Sequence, residues 1–264
     1  MKRLTLILLT LCAAMAVQGA TIKTEVCIYG ESASGVVAAI QSARLGKKTL
    51  LISKNDHVGG LATSGLTATD INRQDQVGGI AAEFYGRIWD HYAQSDVWRN
   101  QTREEFFELS KKRTFSGKND DRQIQWVYES GVAERIMKDM LAEAGVEVLY
   151  NAPLDLDNGA KVKGGKIRSI NLLNGTTVKA KMFLDCSYEG DLMAAAGVSH
   201  IIGRESTEQY GEDLAGIRNF NLIPTSPYLN GTDGELIPYV APEMYGELGE
   251  GDHRTQAYCY RVTL

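Results

Sequence analysis

Gly30-Glu31-Ser32-Ala33-Ser34-Gly35 has the residue types and spacing of a turn that cradles a diphosphate. Gly30 lets a strand turn sharply into a helix, and Gly35, with Ala39 beyond it, lets that helix sit close to the sheet. The first-turn N–H groups, backed by the helix dipole, then face a pyrophosphate. The middle glycine of G-x-G-x-x-G is Ser32, which gives up some backbone clearance and adds a hydroxyl donor. A glycine motif alone is weak, because a purely structural strand–helix turn can carry the same letters. Its flanks strengthen it.

Those flanks form a complete unit. Val26–Tyr29 is the apolar run of a buried parallel strand, Val36–Leu45 reads as a small-residue helix stopped by Gly46, and Thr49–Ile52 reads as a second strand. An acidic residue should end that second strand and accept hydrogen bonds from the adenosine ribose. The chain has Ser53 there, followed by Lys54. Serine can make one such bond, and the Ser-Lys pair could equally meet a ribose 2′-phosphate.

Two further stretches bear on the same crevice. Residues 54–66 are rich in glycine and hydroxyls: a surface loop, or a loop pressed against a flat ligand, since paired glycines permit close approach. Asp185-Cys186-Ser187-Tyr188-Glu189-Gly190-Asp191 ends an apolar strand and enters a small-residue helix at Leu192–Ala196, stopped by Gly197. Ligands of open α/β sheets bind at the carboxyl ends of strands, so this turn should face the same place. Asp191 could instead do no more than cap its helix.

These blocks carry a resemblance. The fingerprint, HVGGLATSGLTATDIN, the GGI…EFY helix and FLDCSYEGDLMAAAGV, with Gly203–Ser206 and Tyr210–Glu212, resemble in order the FAD-dependent oxidoreductase family. That family includes secreted bacterial flavoproteins and is akin to the flavoprotein subunit of heterodisulfide reductase. Some exported relatives carry a xanthan lyase label. The resemblance implies an α/β, Rossmann-like FAD/NAD(P)-binding fold with a parallel sheet, a β-meander insertion and the start of a second domain. It implies FAD, with NAD(P) less favoured. Gly30, Ser32, Ala33, Ser34 and Gly35 would hold the pyrophosphate, and Ser53 would make a reduced ribose contact. Gly59, Gly60, Leu61, Ser64 and Gly65 would line the flavin, while Asp185, Gly190 and Asp191 close the adenosine side. No catalytic acid or base is legible, and His57 reads as a structural hydrogen-bonder.

The remaining chain supplies scaffold. Val77–Ala93 has the i, i+4, i+8 face of an amphipathic helix at Ile80, Phe84 and Ile88. Residues 95–121 read as a charged, irregular excursion or lid. Arg99, Arg103, Arg113 and Arg122 could bind an anionic substrate there, though the charge pattern favours a solvated face. Ser130 is expected to N-cap a helix over Val132–Ala144, ahead of a short strand at Val146–Tyr150. From residue 154 to 186 the period changes to two, with Asn174-Gly175 as a strong hairpin signal, predicting a three-stranded meander that returns to the parallel sheet through Met182–Cys186.

Composition bounds the alternatives. The 264 residues carry a formal charge of −5, which favours neither nucleic acid nor an anionic membrane. Residues 1–20 read as a secretory leader, with Lys2-Arg3, an apolar stretch at Leu4–Val17 and a small-residue cleavage site, so export to the periplasm or medium is expected. Beyond it, Cys27, Cys186 and Cys259 form neither a disulfide framework nor an iron–sulfur motif, and the four histidines lack ligand spacing. The expected organisation is a leader at 1–20, an FAD-binding domain at 21–200 and the start of a substrate domain at 201–264. The last stretch ends in mid-strand at His253–Leu264, which reads as an N-terminal portion of a longer enzyme.

A small-molecule substrate and an unidentified electron acceptor or donor complete this reading. The competing readings are a polysaccharide lyase, which would need a base and a neutraliser for a uronate carboxylate, and a fragment that holds no flavin. The lyase groups are not visible in the sequence.

Overall fold

The computed structural model describes residues 19–69, 71, 73–111, 123–218, 226–238, 240 and 246–255. Most of the expected leader, Arg113, Arg122 and nearly all of the expected terminal strand therefore lie outside the described residues. The chain divides into two compact units, residues 1–198 with 261–264 and residues 199–260.

The first unit is built on a parallel sheet. Its strands β2 (Val26–Tyr29), β3 (Thr49–Ile52), β4 (Glu147–Leu149) and β8 (Met182–Asp185) lie in the order β4-β3-β2-β8. All three pairings are parallel, with Ile28 opposite both Leu51 and Leu184. A second sheet orders β1 (Thr21–Lys23), β7 (Thr177–Lys179), β6 (Lys166–Asn171) and β5 (Ala160–Lys163). Strands β5, β6 and β7 form the expected antiparallel meander, and β1 joins it in parallel. The β1 pairing was not legible in the sequence, because Thr21-Ile22-Lys23 is too short to show a period.

Strand alternation separates two cores. Ile28 and Leu51 project to one face, against helices α1 (Ala33–Arg44), α2 (Gly79–Ala93) and α4 (Ser130–Glu143). Cys27, Tyr29, Leu50 and Ile52 project to the other, against Leu154, Ile170, Leu172 and Val178 of the meander layer. Both faces of the parallel sheet are thus covered, which explains its continuous apolar strands. Burial pushes the Cys27 thiol up to about 12, so it acts as a small hydrophobe, as expected.

Several expectations need correction. Helix α1 begins at Ala33, three residues earlier than its apolar pattern, because Ser32 is the N-cap and its side chain accepts from the Gly35 N–H. Ser130 is the first residue of α4 and not its cap; Glu129 holds that position without a side-chain bond. The 95–121 excursion contains a helix, α3 (Arg103–Lys111), whose aromatic contacts the charge pattern concealed. After β8, Asp191 opens α5 (Asp191–Ala195), and Gly190, at φ +71°, precedes it as N-cap.

The second unit, taken by itself, is tied by an ion pair and an antiparallel bridge between Arg204 and Asp252. Its short helix α6 (Thr207–Tyr210) is capped by the Ser206 hydroxyl.

Two carboxylates join the three helices. Arg44 chelates Glu83 at 2.6 and 2.8 Å, and Arg87 chelates Glu143 at 2.7 and 2.6 Å while reaching Glu83 at 2.9 Å. The Arg44 hydrogen bond holds Glu83 below the ordinary 4.5, and that of Arg87 lowers Glu143. In the unfolded chain both carboxyls bind protons at higher pH, so their contribution is complete above about the ordinary 4.5 and is lost as pH falls through the lowered values. Urea midpoints should therefore fall on acidification from pH 6 to pH 3 (both chosen as assay points), less steeply in Glu83→Gln.

Candidate functional site

Three loops converge at the carboxyl edge of the parallel sheet. The first is the β2–α1 turn. Gly30 has φ +110°, and a Cβ there would lie 2.3 Å from the Ser187 nitrogen and 2.4 Å from the Cys186 carbonyl carbon. A Cβ at Gly35 would fall 2.0 Å from the Gly30 oxygen. Glycine at both positions lets the helix start lie directly against the strand ends.

That seating leaves a donor open. A helix start gives the Ala33 and Ser34 N–H groups no helical acceptor. The parallel bridge between Ser32 and Gly59 turns the Ala33 N–H toward the Gly59 carbonyl, while among the described residues no protein group takes the Ser34 N–H. Ala33 is half-buried and Ser34 exposed. With the dipole of a 12-residue helix behind it, the helix start forms an anion site. The Ser32 hydroxyl is not a free donor, since it lies 2.6 Å from the Cys186 carbonyl and 2.8 Å from the Ser34 hydroxyl.

The second loop is 57–65. A parallel bridge joins Ser32 and Gly59, and the Gly59 N–H donates to the Glu31 carbonyl at 2.7 Å. A 3-10 turn over Gly60–Thr63 follows, with Leu61 and Ser64 exposed. His57 holds this turn from beneath. Its Nε2 lies 2.7 Å from the Thr63 hydroxyl and 2.9 Å from that of Ser64, while Nδ1 is 3.1 Å from Glu134 of α4. Burial raises the Glu134 carboxyl, but the Lys138 hydrogen bond and the His57 charge more than offset it, leaving a net lowering. The Ser64 hydroxyl also reaches the Gly60 carbonyl at 2.7 Å. At the loop's end, the Gly65 N–H donates to the Ser130 hydroxyl at 2.8 Å. Ser130 thus braces this loop where a helix cap was expected.

The third loop follows β8. Asp185 is engaged internally: it accepts from the Ser187 N–H at 2.9 Å, the Ser187 hydroxyl at 2.7 Å and the Met193 N–H at 2.7 Å. It shapes the turn and caps α5, the task sequence reading offered to Asp191. Burial, and next the Glu189 charge, raise the Asp191 carboxyl. Tyr188 is a residue that sequence reasoning passed over. Its hydroxyl accepts from the Leu61 N–H at 2.8 Å, and a Cβ on Gly60 would lie 2.2 Å from it. The signal was present, as an aromatic inside a polar glycine-containing turn.

Ser53 corrects the ribose expectation. It has no exposed surface, and its hydroxyl lies between the Asn55 and His57 carbonyls at 2.8 and 2.9 Å. Lys54 reaches the Glu189 carboxylate at 3.1 Å. Burial lowers the Lys54 ammonium's affinity for its proton, yet Glu189 more than compensates and the net shift is upward.

Of the arginines expected to bind an anion, Arg99 and Arg103 lie among the described residues. The Arg103 guanidinium stacks over the rings of Trp89 and Phe107, at 4.6 and 4.9 Å from their centroids. Arg99 lines a separate cleft of about 780 Å³ with Tyr92, Trp98, Phe106 and Arg135. Among the described residues no group of three His, Cys, Asp or Glu side chains is placed to hold a metal. Nor is any helix among them long and apolar enough to cross a membrane.

The donor set fits a dinucleotide: a glycine-bounded helix start with an open Ser34 amide, and two further loops beside it. A family model agrees. The family model described as FAD dependent oxidoreductase matches residues 25–264. No curated protein matches. Among solved structures, the chain is similar to a geranylgeranyl bacteriochlorophyll reductase-like protein from Thermoplasma acidophilum, at 19% identity and TM-score 0.43, covering 68% of this chain and 43% of that one. It is similar to L-proline dehydrogenase from P. horikoshii at 15% identity and TM-score 0.43, covering 70% and 59%. It is also similar to L-amino acid deaminase from Proteus vulgaris at 13% identity and TM-score 0.44, covering 72% and 53%. The chain thus spans between 43% and 59% of the length of these three structures.

Two substitutions test the geometry. Gly30→Ala combines a left-handed φ with a backbone clash and should cost about 2–4 kcal/mol in urea unfolding. His57→Ala removes the brace under the 3-10 turn. It should cost about 1–2 kcal/mol and raise amide hydrogen exchange across residues 59–65 more than in β2 or β3.

Proposed function

The chain belongs to the FAD dependent oxidoreductase family, and on that premise we propose that it binds FAD across these three loops and uses it for two-electron transfer on a small-molecule or sugar-related substrate. The observation that carries this reading is the helix start seated by Gly30 and Gly35, with the Ser34 amide open at it. When bound, the flavin supplies the redox chemistry, accepting or donating two electrons.

The chain's own part is holding and orienting. The start of α1, with its open Ser34 amide, would hold the pyrophosphate. The backbone of residues 59–65, whose position is set by the His57–Glu134 and Ser130 contacts, would hold the ring. Asp185 keeps the β8 turn, and with it Gly190 and Asp191, in place at the adenosine side. The ion pair between Lys54 and Glu189 supports FAD over a 2′-phosphorylated nucleotide, because the lysine already has a counter-charge. Tyr188, bonded to the Leu61 amide, joins the second and third loops.

Export is part of the proposal and rests on the leader pattern of residues 1–20. An electron acceptor or donor of unidentified chemistry is also part of the proposal.

A visible spectrum decides the central point. Purified protein mixed with FAD and freed of excess ligand should retain yellow flavin bands that dithionite bleaches under argon. A colourless protein that leaves the FAD spectrum unchanged would overturn the reading, as would unsaturated product released from a uronate-containing polymer without flavin. Gly35→Ala should abolish retention of FAD, because its Cβ would fall 2.0 Å from the Gly30 oxygen and displace the amides.

A further inference from the structure

We propose that Glu31, in the turn between β2 and α1, supplies the carboxylate that receives the adenosine ribose hydroxyls, a role for which the end of β3 offers only Ser53. The inference rests on the FAD reading above.

In a dinucleotide fold the ribose acid stands at the end of the second strand. Here that position is a fully buried serine whose hydroxyl is engaged by carbonyls of its own turn. Yet a carboxylate does reach this corner. Glu31 Oε2 accepts from the Lys54 N–H at 3.3 Å, and Oε1 accepts from Asn55 Nδ2 at 3.0 Å. Those two donors are the first and second residues after Ser53. The side chain therefore bridges along the carboxyl edge from the end of β2 to the end of β3. Its backbone is clamped for this, with Gly30 before it, the N-cap Ser32 after it, and its carbonyl bonded to Gly59.

The chemistry suits a free diol. An ionised carboxylate offers about four acceptor sites, and two are taken by Lys54 and Asn55, leaving capacity for two hydroxyl donors. The nearby cation, Lys54, is paired with Glu189 at 3.1 Å. A 2′-phosphate would meet Glu31, Glu189 and Asp191 with no unpaired cation among these four residues. The same acid thus accounts for the missing one at position 53 and selects against a 2′-phosphorylated nucleotide. The competing role for Glu31 is a purely structural staple on the β3 turn, and the two roles separate experimentally.

The test uses the full chain and two probes, FAD and an FAD analogue lacking the adenosine 2′-hydroxyl, titrated by flavin fluorescence. A hydrogen bond to a charged acceptor is worth about tenfold or more in affinity, so the wild-type protein should bind the analogue about tenfold more weakly than FAD. Glu31→Ala should bring the two affinities together, and Glu31→Gln, which keeps the shape and removes the charge, should narrow the ratio. The double variant Glu31→Ser with Ser53→Glu should restore it. If Glu31→Gln keeps the full wild-type ratio, or weakens both ligands equally alongside a lower urea midpoint, Glu31 is a staple and the proposal is overturned. A wild-type protein that binds neither probe overturns the flavin reading itself, and the Glu31 assignment with it.

Discussion

Everything at the crevice depends on how closely the start of α1 approaches the ends of β2 and β8. Side chains at positions 30 and 35 would drive these segments apart, since each added Cβ would enter backbone at well under van der Waals distance. With both absent, the helix terminus lies against the Cys186 turn and the Ser32 hydroxyl bridges the gap. The consequence is electrostatic. The unpaired Ser34 amide and the positive end of the helix dipole are delivered to the sheet edge, where a diphosphate can meet them.

Around that corner, most of the polar side chains build the scaffold and do not wait for a ligand. Ser32, Ser53, Ser64, Asp185 and His57 each have protein partners within hydrogen-bond distance. Buried polar groups must be paired, and loops this rich in glycine have little other means of holding one conformation. Recognition therefore falls chiefly to the backbone. Side chains set where that backbone stands.

The loops can be held this way because the layers behind them are well packed. Helices α1, α2 and α4 share one apolar core against the sheet, and their outer edges are joined through Arg44, Glu83, Arg87 and Glu143. Those ion pairs are partly solvated and contribute modestly. Their value is in register, because α4 also carries Glu134 and Ser130, the two groups that brace the 59–65 loop. Packing of a helix is thus connected to the position of the proposed flavin loop by two short polar contacts.

The sequence by itself determined the parallel strands, the glycine turn, the meander and the family resemblance. Each of these rests on local spacing: Val26–Tyr29 and Thr49–Ile52 as apolar runs, Gly30 and Gly35 as backbone requirements, Asn174-Gly175 as a turn. What only the tertiary structure decided is which side chains are available. Ser53 and Asp185 are polar, well placed in the chain and engaged internally, while Glu31 and Tyr188, which no spacing rule singles out, reach across to neighbouring loops. Likewise Ser130 looks like a cap by position and is recruited by Gly65 from 65 residues away. Local patterns record backbone conformation and burial, which are properties of a few consecutive residues. Hydrogen-bond partnership among converging loops is a property of the assembled fold, and no short window of sequence contains it.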